Sequence, residues 1–321
     1  MPEFRIVDAG EVKLRCAIEG EGPLVVLVHG FPESWFSWRH QLKPIAEAGF
    51  TACAIDVRGY GGSDKPHPVE AYAMRHLTAD VVGVADALQP GRPAILVGHD
   101  WGAPIVWNTA LTRPDRIAAV AGLSVPYMGV PSRPFTEVFD ALFTQRNRFF
   151  YQAYFQKVGP PEAEAEADVR GFLRKFYYSI SGDAPEGSWP QKPADATLLE
   201  GLRDPHPFPA WLSEEDLDYY VAEFEQSGFR GPINRYRNHE SDFAWLQGWA
   251  DKKIEQPALY IGGTKDPAAT GFGRVADPVA AMKPFVRDLK GGHMLEGCGH
   301  WTQQERPQEV TDLLVDWLKA L

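Results

Sequence analysis

Short apolar runs that alternate with helical stretches constrain the fold of this 321-residue chain more than any other feature. Each run is four to seven residues long and continuously apolar, which is typical of a strand buried on both faces. The runs are Leu24 to Val28, Ala52 to Ile55, Ala94 to Val97, Ile117 to Leu123 and Ala258 to Ile261. Strands that alternate with helices form a parallel sheet covered on both faces, so the sequence predicts an α/β fold.

The pattern changes in three other parts of the chain. Residues 12–18 alternate apolar and polar side chains, which predicts a half-exposed strand. Residues 310–318 carry apolar side chains at helical spacing and predict a closing helix. Between residues 131 and 243 the strand runs stop, and clusters of proline and glycine appear. We therefore predict a mainly helical cap at 131–243, inserted between core segments 1–130 and 244–321.

Composition excludes several classes of protein. The chain is 44% hydrophobic and 23% charged, as expected of a folded globular protein. Its net charge of -11 disfavours nucleic acid and anionic membranes as partners. Three widely spaced cysteines do not form a disulfide framework, and neither a signal peptide nor a run of transmembrane length is visible. The sequence predicts a cytoplasmic protein, with a homodimer possible.

The segment Gly98-His99-Asp100-Trp101-Gly102 follows an apolar run and precedes a helical pattern. It has the form of a nucleophile elbow in which aspartate replaces the usual serine. An aspartate carboxylate, with a reference pKa of about 3.9, is already an anion at neutral pH and needs no base before it attacks. The motif predicts displacement at an sp3 carbon, which forms an alkyl ester on Asp100 that water then cleaves. The alternative is that Asp100 only caps a helix between two unrelated glycines.

A histidine and an acid are expected after the nucleophile, because elbow enzymes follow the order nucleophile, acid, histidine. His300 lies in Gly297-Cys298-Gly299-His300-Trp301, just before the closing helix, and is the predicted base. Asp266 follows the strand ending at Ile261, and sites form at the carboxyl ends of such strands. Asp277 is the other nearby acid, but a solvated loop position suits it better. We discount Ser124 as a nucleophile because its elbow pattern lacks the closing glycine.

The ester oxygen needs hydrogen-bond donors while charge develops on it. The loop His29-Gly30-Phe31-Pro32 directly follows a strand. We predict that the backbone N–H groups of Phe31 and Trp101 form the oxyanion hole. The histidines and cysteines show no spacing typical of metal ligands, so the sequence predicts no metal and no cofactor.

Four segments resemble the soluble epoxide hydrolases of the α/β-hydrolase superfamily. They are HGFPESWFSWRHQ from His29, DVRGYGGSD from Asp56, GHDWG from Gly98 and CGHWTQ from Cys298. The resemblance covers nearly the whole chain and implies an α/β-hydrolase fold, with a small-molecule epoxide as substrate.

Two cap segments are similar to those that give this family its paired tyrosines. By this resemblance Tyr151 and Tyr236 hold the epoxide oxygen, and together with Phe31 and Trp101 they contact the substrate. An opening epoxide produces an alkoxide, and a phenol can donate a hydrogen bond to it at neutral pH. Tyr154 is assigned to packing. Arg235 departs from the family pattern, in which an aromatic residue usually precedes the second tyrosine.

Three other functions are compatible with parts of the pattern. A haloalkane or haloacid dehalogenase shares the aspartate elbow, but it needs halide donors rather than two tyrosines, and the fluoroacetate type usually has arginine at the position of Trp101. A non-enzymatic receptor has no need of Asp100, His300 and Asp266 together. A serine esterase needs a serine in the elbow.

Overall fold

The computed structural model describes residues 2–271, 273 and 275–321. Its centre is a sheet of eight strands in the order β1-β2-β4-β3-β5-β6-β7-β8. The strands are β1 (Glu3–Asp8), β2 (Lys13–Glu19), β3 (Leu24–Val28), β4 (Thr51–Ile55), β5 (Ala94–His99), β6 (Ile117–Leu123), β7 (Ile254–Gly263) and β8 (Val286–Leu295). β1 pairs with β2, and β2 with β4, in antiparallel fashion. All other neighbouring strands in the sheet pair in parallel. The mostly parallel sheet predicted from the apolar runs is confirmed.

Helices cover the sheet and fill the interval between β6 and β7. The core helices are α1 (Leu42–Glu47), α2 (Met74–Leu88), α3 (Gly102–Thr112), α11 (Pro278–Met282), α12 (Thr302–Glu305) and α13 (Pro307–Lys319). The helices between β6 and β7 are α4 (Phe135–Leu142), α5 (Tyr151–Tyr154), α6 (Pro160–Ala167), α7 (Val169–Ser179), α8 (Glu214–Ser227), α9 (Arg230–Asn234) and α10 (His239–Leu246). Residues 124–253, all of which the structure describes, contain no strand.

The core lies on both faces of the sheet because successive side chains of a strand point to opposite faces. In β3, Val26 joins one apolar cluster, which includes Val81 of α2. Its neighbour Val25 joins the other cluster, with Ile45 of α1 and Leu314 of α13. This two-sided burial explains why β3 is apolar throughout.

The strands toward the edges of the sheet are not apolar throughout. The sequence did not predict β1 or β8, and most residues of both strands are exposed or half-buried. The predicted strand at residues 12–18 is β2, in which Leu14 and Cys16 are buried while Lys13 is exposed. Among the residues that the structure describes, no helix has the length and apolar character that crossing a bilayer requires.

Candidate active site

A sharp turn between β5 and α3 presents Asp100 at the carboxyl edge of the sheet. Asp100 has a φ of 50°, in the left-handed region that L residues rarely occupy. A Cβ on Gly98 would collide with the carbonyl oxygen of Gly102, and a Cβ on Gly102 would collide with that of Val28. Both glycines of the motif are therefore required by close backbone approach, which distinguishes this turn from a chance helix cap.

The loop after β3 reaches the same carboxylate. The backbone N–H of Phe31 donates to Oδ1 of Asp100 at 2.7 Å. A Cβ on Gly30 would meet the Asp100 side chain, so only glycine permits this approach. Trp101 immediately precedes α3 and packs its ring against Tyr236. The N–H of Phe31 thus contacts the Asp100 carboxylate directly, and the Trp101 ring contacts Tyr236.

His300 lies between two carboxylates. Its Nε2 is 3.4 Å from Oδ2 of Asp100, and its Nδ1 is 3.0 Å from Oδ1 of Asp266. The side chains of His300 and Asp266 are 4% and 0% exposed, whereas that of Asp100 is 14% exposed and faces a cavity. The structure therefore brings together three side chains from turns that are far apart in the sequence, in an order suited to nucleophile, base and orienting acid.

The charges of this trio shift its pKa values. Burial alone would lower the pKa of His300, but Asp266 and Asp100 outweigh it, and the pKa lies well above its usual value. Burial alone would raise the pKa of Asp266, but its contacts with His300, Ser124 and the N–H of Ala268 outweigh it, and the pKa is lowered. Asp266 therefore stays ionised and holds the imidazole in place.

Ser124 contacts two residues of the site. The sequence analysis considered this residue only as a nucleophile and did not predict these contacts. Its hydroxyl donates to Oδ2 of Asp266 at 2.5 Å and lies 3.0 Å from Nδ1 of His300. Its position directly after β6 could have predicted the contact with Asp266. β6 and β7 are neighbouring parallel strands, so their carboxyl ends lie side by side. The alternative acid, Asp277, caps α11 through the N–H of Ala280.

Two tyrosines from the helical segment between β6 and β7 border the same cavity as Asp100. Tyr151 begins α5, and Tyr236 lies in the 3-10 helix Arg235–Asn238. Their ring centroids are 5.8 Å apart. Burial raises the pKa of both phenols above the usual value, so both remain protonated donors at neutral pH. Tyr154 packs against Phe149 and Phe155.

A buried contact between a histidine and a carboxylate behind the site was not predicted from the sequence. Nδ1 of His99 lies 2.8 Å from Oε2 of Glu33, and Nε2 lies 2.8 Å from the carbonyl oxygen of His300. Glu33 also accepts a hydrogen bond from the N–H of Gly30 at 2.9 Å. This pair therefore ties the turn of Asp100 to the loops of Phe31 and His300. His29 has a structural contact, since its Nε2 accepts from the N–H of Val57 at 3.0 Å.

Two cavities meet at Asp100. One, of about 470 Å³, is bordered by Asp100, Tyr151, Tyr236 and His300. The other, of about 340 Å³, shares Asp100, Tyr151 and Ala268 and extends over mainly apolar side chains. Within the described part of the chain, no group of three or more His, Cys, Asp or Glu side chains is placed to hold a metal ion.

The sheet and the aspartate turn define the class of this protein. Residues 23–179 match the family model of the alpha/beta hydrolase fold. The order of β3 to β8, with Asp100 after β5 and His300 after β8, agrees with that class.

Full-length relatives narrow the class to one family. The chain is 41% identical to Epoxide hydrolase A of Mycobacterium tuberculosis, covering 100% of this chain and 98% of the relative. A solved epoxide hydrolase from an endophytic Streptomyces is 46% identical with a TM-score of 0.94, covering 99% and 95% of the two chains. Epoxide hydrolase A from Mycobacterium thermoresistibile is 41% identical with a TM-score of 0.93, covering 99% and 98%. The chain belongs to the epoxide hydrolase family of α/β-hydrolases.

Proposed function

We propose that this protein converts an epoxide and water into a vicinal diol through a covalent ester on Asp100. One observation carries the proposal: Asp100, His300, Tyr151 and Tyr236 border a single cavity. A carboxylate nucleophile, a base for water and two donors for an alkoxide are the groups that this reaction requires.

The first step is ring opening. Oδ2 of Asp100 attacks one ring carbon, and the bond from that carbon to the epoxide oxygen breaks. The oxygen leaves as an alkoxide that is still attached to the substrate, so it must be protonated or hydrogen-bonded as it forms. Tyr151 and Tyr236 donate to it from the segment between β6 and β7, which we propose acts as a cap at residues 131–243.

The second step is hydrolysis of the ester. His300 takes a proton from water, and the hydroxide adds to Cγ of the Asp100 ester. The N–H groups of Phe31 and Trp101 stabilise the negative oxygen, and the former already contacts Oδ1 at 2.7 Å. The bond from Cγ to the alkyl-bearing oxygen then breaks, His300 returns its proton to that oxygen, and the diol leaves while the Asp100 carboxylate is restored. Alkylation removes the Asp100 charge, which is one of the charges that raise the pKa of His300. Ester formation thus prepares the histidine to act as a base.

The two cavities bear on the substrate. Because they meet at Asp100 and Tyr151, an epoxide with substituents on both ring carbons has room on either side of the nucleophile. The second cavity is lined mainly by apolar and aromatic residues, so at least one substituent is expected to be apolar. A cytoplasmic location and a homodimer stay predictions.

A paired substrate panel tests the proposal. Purified protein is incubated with styrene oxide, a fatty-acid epoxide and a cyclic epoxide, each scored for diol, and with haloalkanes scored for halide. We expect diol from epoxides, and loss of diol formation in Asp100→Asn. Halide release without diol formation would contradict the proposal and favour a dehalogenase.

A further inference from the structure

Arg235 is a buried cation beside the site that the reaction steps above do not use. It directly precedes Tyr236, and its side chain is 4% exposed. The guanidinium donates to the carboxylate of Asp242 and to the carbonyl oxygen of Tyr72. Burial lowers the pKa of Arg235 to about 9, so the side chain is still cationic at neutral pH.

The guanidinium stacks on the residue that follows the nucleophile. Cζ of Arg235 lies 4.6 Å from the ring centroid of Trp101. A cation over an indole face is attracted by the ring, and the attraction is largest where water is excluded. This contact fixes the orientation of the Trp101 ring from one side.

The Trp101 ring in turn contacts the proposed acid. The ring centroids of Trp101 and Tyr236 are 5.3 Å apart with an interplanar angle of 82°. Burial raises the pKa of Tyr236, so the phenol keeps the proton that it donates in ring opening. The Trp101 ring therefore links the buried cation to the phenol through two ring contacts.

We propose that Arg235 is a positioning residue for ring opening, which holds the Trp101 indole toward Tyr236 and stabilises the negative charge that gathers on the phenol oxygen. This inference rests on the proposed function. The alternative role is mechanical: through Tyr72 and Asp242 the side chain only anchors the cap to the core. An anchor would affect both chemical steps or stability alone, whereas a positioning residue acts on the step that uses Tyr236.

Single-turnover kinetics separate the two roles. The variants are Arg235→Gln, which removes the charge, and Arg235→Lys, which keeps it. The control is Arg237→Gln, because Arg237 lies on the same short helix and pairs with Glu162. We expect Arg235→Gln to slow alkylation about ten- to thirtyfold, as fits loss of a desolvated cation–π contact. Ester hydrolysis should stay within twofold, Arg235→Lys should regain part of the alkylation rate, and the control should change neither step.

A double-mutant cycle tests whether Arg235 acts through Tyr236. In a Tyr236→Phe background, Arg235→Gln should change alkylation by less than twofold, because the group it positions is gone. If Arg235→Gln does not fold, Trp101→Leu removes the ring that contacts both Arg235 and Tyr236, and it should cause the same selective loss. Equal slowing of both steps, no slowing, or full additivity with Tyr236→Phe would overturn the inference. Absence of any Asp100 ester in the wild-type protein would instead overturn the proposed function.

Discussion

Replacing both cavity tyrosines with phenylalanine should abolish ring opening while leaving ester hydrolysis intact. General acid assistance is worth about 10² to 10⁴ in rate, which corresponds to roughly 3 to 5 kcal/mol of barrier. Tyr151 and Tyr236 border one cavity with their ring centroids 5.8 Å apart, so each single variant keeps one donor near the same oxygen. We expect each single variant to slow alkylation by roughly 10- to 100-fold, and the double variant to lose at least about 10³-fold.

The assay is rapid-quench single turnover with enzyme in excess, followed by intact-protein mass to count the alkylated fraction. Tyr154→Phe is the matched control, since that tyrosine packs against Phe149 and Phe155. Because each change removes only a hydroxyl, the packing of the rings should persist. A double variant that opens epoxides at the wild-type rate would refute the tyrosine assignment and favour the dehalogenase alternative.

Three further outcomes are expected. His300→Gln should alkylate and then stall, leaving an adduct of enzyme plus substrate by mass; an unmodified variant that binds substrate would refute the base assignment. Ser124→Ala should lower the free energy of unfolding by about 1.5 to 3 kcal/mol in chemical denaturation, because it removes a buried hydrogen bond to the Asp266 carboxylate, and unchanged stability would contradict this. Burial would raise the pKa of Glu33, but His99 outweighs it and lowers the pKa from 4.5 to about 2. This shift contributes about 3 kcal/mol to the free energy of unfolding, which is present above pH 4.5 and lost as the pH falls toward 2. Glu33→Gln should therefore flatten that part of an acid-unfolding curve. An unchanged curve would contradict the claim that the Glu33 carboxylate stabilises the fold.

The inner strands could be predicted from the sequence because burial on both faces leaves only apolar residues. β1 and β8 could not, since exposed strands tolerate charges, and β8 also contains Gly291 and Gly292. Motif order predicted Asp100, Asp266 and His300 as one group, and the structure brings them together from the turns after β5, β7 and β8. The cap boundaries at residues 131–243 stay a prediction.

The missing parts of the site depend on long-range contacts. Ser124 was weighed only as a nucleophile, yet its hydroxyl bonds Asp266, 142 positions away in the sequence. Glu33 and His99 lie inside the motifs, but their mutual contact spans 66 positions and leaves no local signal. The stacking of Arg235 on Trp101 likewise follows from tertiary packing rather than from sequence spacing.

The covalent ester on Asp100 is most directly tested by single turnover in oxygen-18 water. With enzyme in excess over epoxide, water attacks Cγ of the ester, so the label should enter the Asp100 carboxylate. Peptide mass analysis should find it there, while the first diol formed should be unlabelled. Label that appears directly in the diol, with an unlabelled Asp100, would mean that water attacks the epoxide itself and would contradict the central role of this carboxylate.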